Sequence, residues 1–293
     1  MRFTINNTNH LQIQQFAKWI LDVGDRKLSE SNDGYGYALI EILEQFLITN
    51  YDNLIHAIVK STYPNLVDEY TNEEFLQCRA ILASTIDTVD EINDYVLSLI
   101  SGDEREYLSL DSIDRSESND IEALQGLTTE FLNSLRTSRL PNHKIKLKIG
   151  TPIMLLRNLD QTEGLCNGTR MIVNRLATHV IEVKVMTGKN VGKIFYIPRM
   201  SLSPSHSPWP FKLTRRQFLL TVSYVVTINR SQGQSLASVG LYLPRPVFSH
   251  GQLYVAFSRV QSMEGLKILI HDKEGKTMNT TINVVFKKVF QNL

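Results

Sequence analysis

The chain has 293 residues, 42% of them hydrophobic and 21% charged, with a formal net charge of +1; that length suggests about two domains with enough apolar material for real cores. Two cysteines, Cys78 and Cys166, stand at no ligand spacing, which argues against disulfides and a cysteine zinc site and favours a reducing intracellular compartment. No run approaches a membrane span, no secretory signal opens the chain, and the seven histidines are scattered, so neither secretion, membrane insertion nor a metal site is expected.

The small net charge hides a division. Residues 1–130 hold 8 Lys and Arg against 24 Asp and Glu, whereas residues 131–293 hold 23 against 6. Clustered cations displace counterions from a phosphate backbone, so the basic half is the expected nucleic-acid track. The acidic half would repel DNA and suits packing or regulation. Mutual attraction of the halves accounts for the same asymmetry and does not exclude DNA binding.

Residues 11–60 read as helical. Ile13, Phe16, Ala17, Ile20 and Leu21 keep the i, i+3, i+4, i+7 spacing, and Leu39, Ile42, Leu43, Phe46 and Leu47 repeat it beyond the break at Asn32-Asp33-Gly34-Tyr35-Gly36. Pro64 ends the region. Ala80–Ala83 reads as a short buried strand and Asp87–Ile100 as a helix with acidic residues in its first turn, where the helix dipole favours them. Strand then helix opens a parallel α/β layer. Residues 101–120 are rich in Ser, Asp and Glu without apolar periodicity, the pattern of an exposed loop.

Lys144, Lys146 and Lys148 alternate with Ile145, Leu147 and Ile149, so 144–156 reads as a half-buried strand with a lysine-lined face. That face is either a DNA-backbone surface or a solvated edge that blocks aggregation. Met171–Val173, Val180–Val185 and Lys193–Ile197 add strands separated by turns such as Thr187-Gly188-Lys189-Asn190, which together spell a small β-barrel. Phe211–Val226 is expected to return the chain to the parallel sheet, with Val239–Leu243 and Leu266–Ile270 as further strands.

Two segments near the C-terminus then stand one short strand apart. They are Thr227-Ile228-Asn229-Arg230-Ser231-Gln232-Gly233-Gln234-Ser235 and Ser249-His250-Gly251-Gln252-Leu253-Tyr254-Val255-Ala256-Phe257-Ser258-Arg259-Val260. In each, an apolar strand runs into a short polar loop that opens a helix, which aims backbone N–H groups at an anion beyond the strand end. Arg259 is placed to reach a phosphate outside its own helix, as an arginine finger does. Either segment alone is what any α/β domain with Gly and Ser loops can carry; the ordered pair points to nucleotide and phosphate chemistry.

This pair resembles motifs V and VI of the petite-integration-frequency (PIF) type of ATP-dependent 5′→3′ DNA helicase, superfamily 1B, and especially its Helitron-encoded branch. The likeness extends over Glu130-Phe131-Leu132-Asn133-Ser134, Leu140–Asp160 and Gly164–Arg170, and upstream over Phe16–Gly24, Ala80–Ser84 and Val89–Asn93. The fold it implies is α/β: a RecA-like parallel sheet of the P-loop NTPase type, with an inserted small β-barrel subdomain of the Src-homology type and an N-terminal helical region. It divides the chain into a helical region over 1–76 that follows a missing first RecA-like domain, the first part of the second RecA-like domain over 77–125, the β-rich insert over 126–205, the second part with motifs V and VI over 206–272, and a tail over 273–293 left without assignment.

The resemblance also implies roles. Thr227, Asn229 and Arg230 fall among DNA contacts, Gln232 and Gly233 among nucleotide-phosphate contacts, and Arg259 is the arginine that completes the ATP site. Met1-Arg2-Phe3 resembles the end of motif IV, which makes Arg2 a second phosphate contact with a catalytic role. Arg230 stands where the family has lysine, and its planar fork alters the contact. Lys144, Lys146, Lys148 and Arg157, with Arg170, are the expected DNA-backbone cations, and the barrel would help hold single-stranded DNA. Leu219 and Tyr224-Val225-Val226 depart from the family's proline and Phe-Ala-Met.

A helicase of this kind also needs a Gly-x-x-x-x-Gly-Lys-Ser/Thr loop and a Walker-B acid, and this sequence has neither. Gly275-Lys276-Thr277 lacks the motif's first glycine, because position 270 is Ile270. ATP and Mg²⁺ are therefore expected in the complete enzyme, neither is expected to bind tightly to this chain alone, and the isolated chain is expected to be inactive as an ATPase. The start methionine coincides with that of motif IV, which suggests a truncated copy. The implied partners are single-stranded DNA and a first RecA-like domain in cis or trans, with no membrane; the implied location is the nucleus, with the mitochondrion as alternative. The implied processes are DNA repair, recombination, telomere maintenance or Helitron transposition. The other readings are a catalytically inactive single-stranded-DNA-binding module and a transposon relic.

Overall fold

A computed structural model describes residues 7–25, 27–28, 37–114, 126–136, 140–204 and 209–286. In chain order its elements are α1 (Asn7–Gly24), β1 (Tyr37–Glu41), a 3-10 turn (Glu44–Phe46), α2 (Leu54–Thr62), α3 (Leu66–Glu69), α4 (Glu73–Gln77), β2 (Arg79–Ala83), α5 (Ile86–Leu99), β3 (Arg105–Leu108), β4 (Leu110–Asp114) and α6 (Thr129–Ser134). There follow β5 (Lys144–Leu147), β6 (Pro152–Leu155), β7 (Arg170–Leu176), β8 (Val180–Val185), β9 (Ile194–Leu202), β10 (Lys212–Phe218), β11 (Leu220–Val222) and β12 (Val225–Thr227). A 3-10 turn (Ile228–Ser231), β13 (Ser238–Leu243), α7 (Gln252–Phe257), a 3-10 turn (Met263–Gly265), β14 (Leu266–Ile270) and β15 (Thr280–Val284) complete it. Two compact units result: one from the described residues of Met1–Glu69, Glu74–Val96 and Tyr224–Leu293, the other from those of Tyr70–Glu73 and Leu97–Ser223. The second unit is wider than the 126–205 insert expected.

The first unit is built on a four-stranded parallel sheet in the order β12-β2-β13-β14. Val225 lies opposite Ile81, and Leu241 lies opposite both Leu82 and Ile268. Ala80–Ala83 and Val239–Leu243 are buried throughout, as strands covered on both faces must be. Asn53 caps α2 by accepting from His56 N at 2.8 Å, and the helix buries Ile58, Val59 and Thr62. Thr62 comes so close to β13 that Gly240 has no room for a Cβ.

One expectation for this unit fails. Residues 37–41 are a strand, not a helix: Ala38 and Ile40 point inward while Tyr37, Leu39 and Glu41 are exposed. Its partner is β15, paired antiparallel from Tyr37↔Val284 to Glu41↔Thr280, inside the stretch the sequence left unassigned. Long-range pairing overrides a local spacing that fits a helix equally well. The Gly275-Lys276-Thr277 stretch is the turn between β14 and β15, where Asp272 Oδ1 accepts from Glu274 N and Lys276 N at 2.9 and 2.8 Å; no helix follows it.

The second unit holds an antiparallel seven-stranded sheet in the order β11-β6-β7-β8-β9-β10-β4 and a two-stranded sheet of β3 and β5. Tyr107, Ile145 and Leu147 from the small sheet share one core with Ile153, Leu155, Met171, Val173, Val183, Ile197 and Phe218 from the large one. The alternation at Lys144–Leu147 and Val180–Val185 appears as an in-out burial pattern. The expected strand over 144–156 breaks at Gly150, whose φ of +84° is left-handed backbone that favours glycine. Residues 105–114 are strands rather than loop; 115–120 fall outside the described residues. Phe211–Val226 was expected in the parallel sheet, but β10 and β11 belong to the antiparallel one and only β12 returns.

The reason lies in charge. Arg215 in β10 and Asp111 in β4 form an ion pair at 2.6 Å with neither side chain exposed. All five guanidinium N–H groups of Arg215 have acceptors: both Asp111 oxygens, and the main-chain carbonyls of Leu132, Leu135 and Pro141. The Asp111 side chain is thereby drawn into the interior, while Leu110 and Ser112 beside it stay exposed.

Candidate functional site

The first polar segment begins where β12 ends. Ile228–Ser231 form a single 3-10 turn, not a full helix, with Ile228 buried and Ser231 Oγ donating to Ile228 O at 2.7 Å. Gln234 N then donates to Ser231 O at 3.0 Å, across Gly233, whose φ is +83°. Asn229, Gln232 and Gly233 are left exposed, and Thr227 and Arg230 half-buried. Burial pulls the Arg230 guanidinium below its usual pKa, against the nearby Asp90 carboxylate that raises it.

The second segment is held by the C-terminal strand. Gly251 N donates to Val284 O at 2.9 Å, and His250 stacks on Phe286. Gln252 is buried, and its Oε1 accepts from Phe248 N and Ser249 N at 3.2 and 3.3 Å, closing the turn ahead of α7. It is a structural residue. Tyr254 lies against Gly24, and α7 buries Leu253, Ala256 and Phe257.

Arg259 follows α7, and the two segments meet there. Its Nε donates to Val255 O at 2.9 Å, Nη1 to Gln234 O at 3.2 Å, and Nη2 to Ser258 Oγ at 2.7 Å. Leu236 N donates to Arg259 O at 2.8 Å, and Gln261 N returns a bond to Leu236 O at 3.1 Å. Burial lowers the Arg259 pKa, with Tyr254 acting in the opposite sense. No carboxylate forms an ion pair with Arg259 among the described residues. A half-buried cation without a counter-charge is an anion site in chemical terms.

The other expected cations are placed less favourably. Lys144 pairs with Glu106 at 2.9 Å, and Lys148 Nζ donates to Ile100 O at 2.9 Å just beyond α5. Lys146 shares their face, half-buried. Arg170 is 2% exposed, with Nη2 3.4 Å from Ser223 O, so it is not a surface contact. Arg157 is half-buried. Arg2 lies outside the described residues.

Three polar groups escaped the sequence reading. Ser258 touches Arg259. Gln234 accepts from Arg259 through its carbonyl, and both its amide atoms are buried without a hydrogen-bond partner. Ser84 Oγ, just beyond β2, is also buried without one. The signal for Ser258 was present in its position beside the arginine; the others depend on tertiary structure alone.

Residues 130–176 match the family described as DNA helicase Pif1, 2B domain. The chain is 30% identical over 193 residues to the ATP-dependent DNA helicase PIF1 of Xenopus laevis, covering 64% of this chain and 26% of that protein. It is 33% identical over 131 residues to the Homo sapiens protein of the same name, covering 44% and 20%. The likeness is to Pif1-type DNA helicases, and residues 130–176 carry the match to the family's 2B domain. The Pif1 helicase from Candida albicans superimposes with a TM-score of 0.56 at 18% identity, covering 95% of this chain and 57% of that one, a likeness in the mixed α/β fold with its parallel sheet. The chain spans about a fifth to a quarter of the length of the curated Xenopus, human and zebrafish (Danio rerio) relatives: 26%, 20% and 22%.

Proposed function

We propose that this chain is the C-terminal portion of an ATP-dependent 5′→3′ DNA helicase, supplying single-stranded-DNA contacts and the arginine finger of an ATP site completed by a first RecA-like domain. The first unit is read as the second RecA-like domain and the second unit, rather than 126–205, as its inserted barrel. What carries the reading is the Arg259 guanidinium, half-buried, without a counter-charge and tied to the Gln232–Leu236 loop. That loop presents Gln232 and Gly233 for phosphate, while Thr227, Asn229 and Arg230 face a DNA backbone without base information. The likeness to Pif1-type helicases supports the ATP and DNA assignments.

Bound ATP would place its phosphates where Arg259 can stabilise charge during transfer. Mg²⁺ is read as held by the Walker-B acid that the family carries in its first RecA-like domain. Because the sequence carries no Gly-x-x-x-x-Gly-Lys-Ser/Thr loop, the isolated chain is expected to lack ATPase activity, as would the alternative of a non-catalytic DNA-binding module.

Titrating the chain with single-stranded oligonucleotide at several salt concentrations tests the DNA half. Binding should be insensitive to sequence, with a log–log salt slope of about −0.7 per phosphate neutralised. A slope near zero would reduce the charge division to intramolecular attraction. Joining a first RecA-like domain tests the ATP half: Arg259→Ala should then lose roughly 10³- to 10⁵-fold in turnover, and unchanged turnover would refute the assignment.

A further inference from the structure

We propose that Ser258 is a positioning residue for Arg259, turning its guanidinium so that one N–H on each terminal nitrogen grips a phosphate oxyanion. This rests on the reading of Arg259 as a phosphate-facing arginine. A guanidinium carries five N–H donors, and three are committed inside the chain, to Val255 O, Gln234 O and Ser258 Oγ. Two remain, one on each terminal nitrogen, the pairing that lets a planar fork make two hydrogen bonds to one phosphate.

Of the three acceptors, two are main-chain carbonyls that no side-chain change removes. Ser258 is the third. Its hydroxyl donates to Val255 O at 3.0 Å, which fixes the hydrogen away from the arginine and leaves the oxygen lone pairs for Nη2 at 2.7 Å. Val255 O therefore receives both Ser258 Oγ and Arg259 Nε, so serine and arginine are set against one carbonyl. Without the hydroxyl, Nη2 loses its acceptor and the fork turns more freely. Orientation fixed before the ligand arrives need not be supplied by binding.

The test uses the full chain, labelled with ¹⁵N, and inorganic tripolyphosphate as probe. The Arg259 Nε–H resonance, assigned by its loss in Arg259→Lys, is followed for exchange with water and for shift on titration. Ser258→Ala should speed Nε–H exchange and weaken tripolyphosphate binding about tenfold, the scale of one charge-assisted hydrogen bond. Ser258→Thr, which keeps the hydroxyl, should restore both, and all three chains should share one thermal midpoint. Unchanged exchange or unchanged affinity in Ser258→Ala would overturn the proposal. Tripolyphosphate binding by Arg259→Ala equal to the parent's would instead overturn the phosphate-facing reading, a failure told apart because the exchange measurement needs no ligand.

Discussion

Trp19 of α1 stacks on Phe257 of α7 with ring centroids 4.8 Å apart, and Phe257 stands two residues before Arg259. Gly24 on α1 meets α7 as well: a Cβ there would come within 2.8 Å of Tyr254 Cδ2. The helix α1 is thus a brace for the arginine-bearing segment. Trp19→Ala should cost about 2 kcal/mol and speed amide exchange at Ser258 and Arg259 more than in β13. Uniform acceleration across the first unit would mean that the brace has no local role.

Asp111→Ala leaves the Arg215 guanidinium buried beside carbonyls alone, and should destabilise the protein by about 3 to 5 kcal/mol in a denaturant titration. The paired replacement Asp111→Leu with Arg215→Met should cost much less than Asp111→Ala, because no charge is stranded. If both versions cost the same, the ion pair is not what holds β4 on β10.

Burial holds the His143 imidazole below its ordinary pKa, with the Asp111 carboxylate opposing that shift. Ser109 Oγ donates to Asp111 at 2.6 Å and lies 2.7 Å from His143 Nδ1, so the hydroxyl oxygen accepts a hydrogen bond from Nδ1–H. The folded value lies below the unfolded one, so this contribution to stability is complete above about pH 6.5 and declines as pH falls through the folded value. Thermal midpoints between pH 7.5 and 5.5 should therefore drop more steeply in the parent than in His143→Asn. Parallel profiles would contradict this.

Gln234 buries both amide atoms without a partner, a defect that costs about 1 to 3 kcal/mol. Gln234→Met keeps the length and removes the orphaned groups, so it should raise stability by a comparable amount while leaving the carbonyl that receives Arg259. A lower midpoint would indicate that the amide has a partner in solution.

Legibility followed how local the physics is. The strands Val180–Val185 and Leu266–Ile270 were readable because alternation or continuous burial is written in neighbouring residues. β1 was not, since Leu39 and Ile42 fit a helical stripe until β15 arrives from the other end of the chain. β4 was hidden because Asp111 reads as solvated until Arg215 meets it. The order of the two polar segments was plain in sequence, and Arg259 with it. The acceptors that orient Arg259 were not, because two are main-chain atoms and one of those comes from 25 residues away.

Asn93 of α5 donates to Val225 O and accepts from Val225 N, both at 3.0 Å. The chain leaves the first unit at Val96 and re-enters at Tyr224, so exit and return lie beside this amide clasp. During synthesis β2 emerges long before β12, and its edge must wait while Leu97–Ser223 of the second unit is made. Closing so long a loop from an unfolded state is entropically costly, whereas a second unit that has already folded delivers its two ends together. Assembly from inside outward follows, with the parallel sheet completed last and its unpaired edge the point at which a stalled nascent chain is open to misassembly.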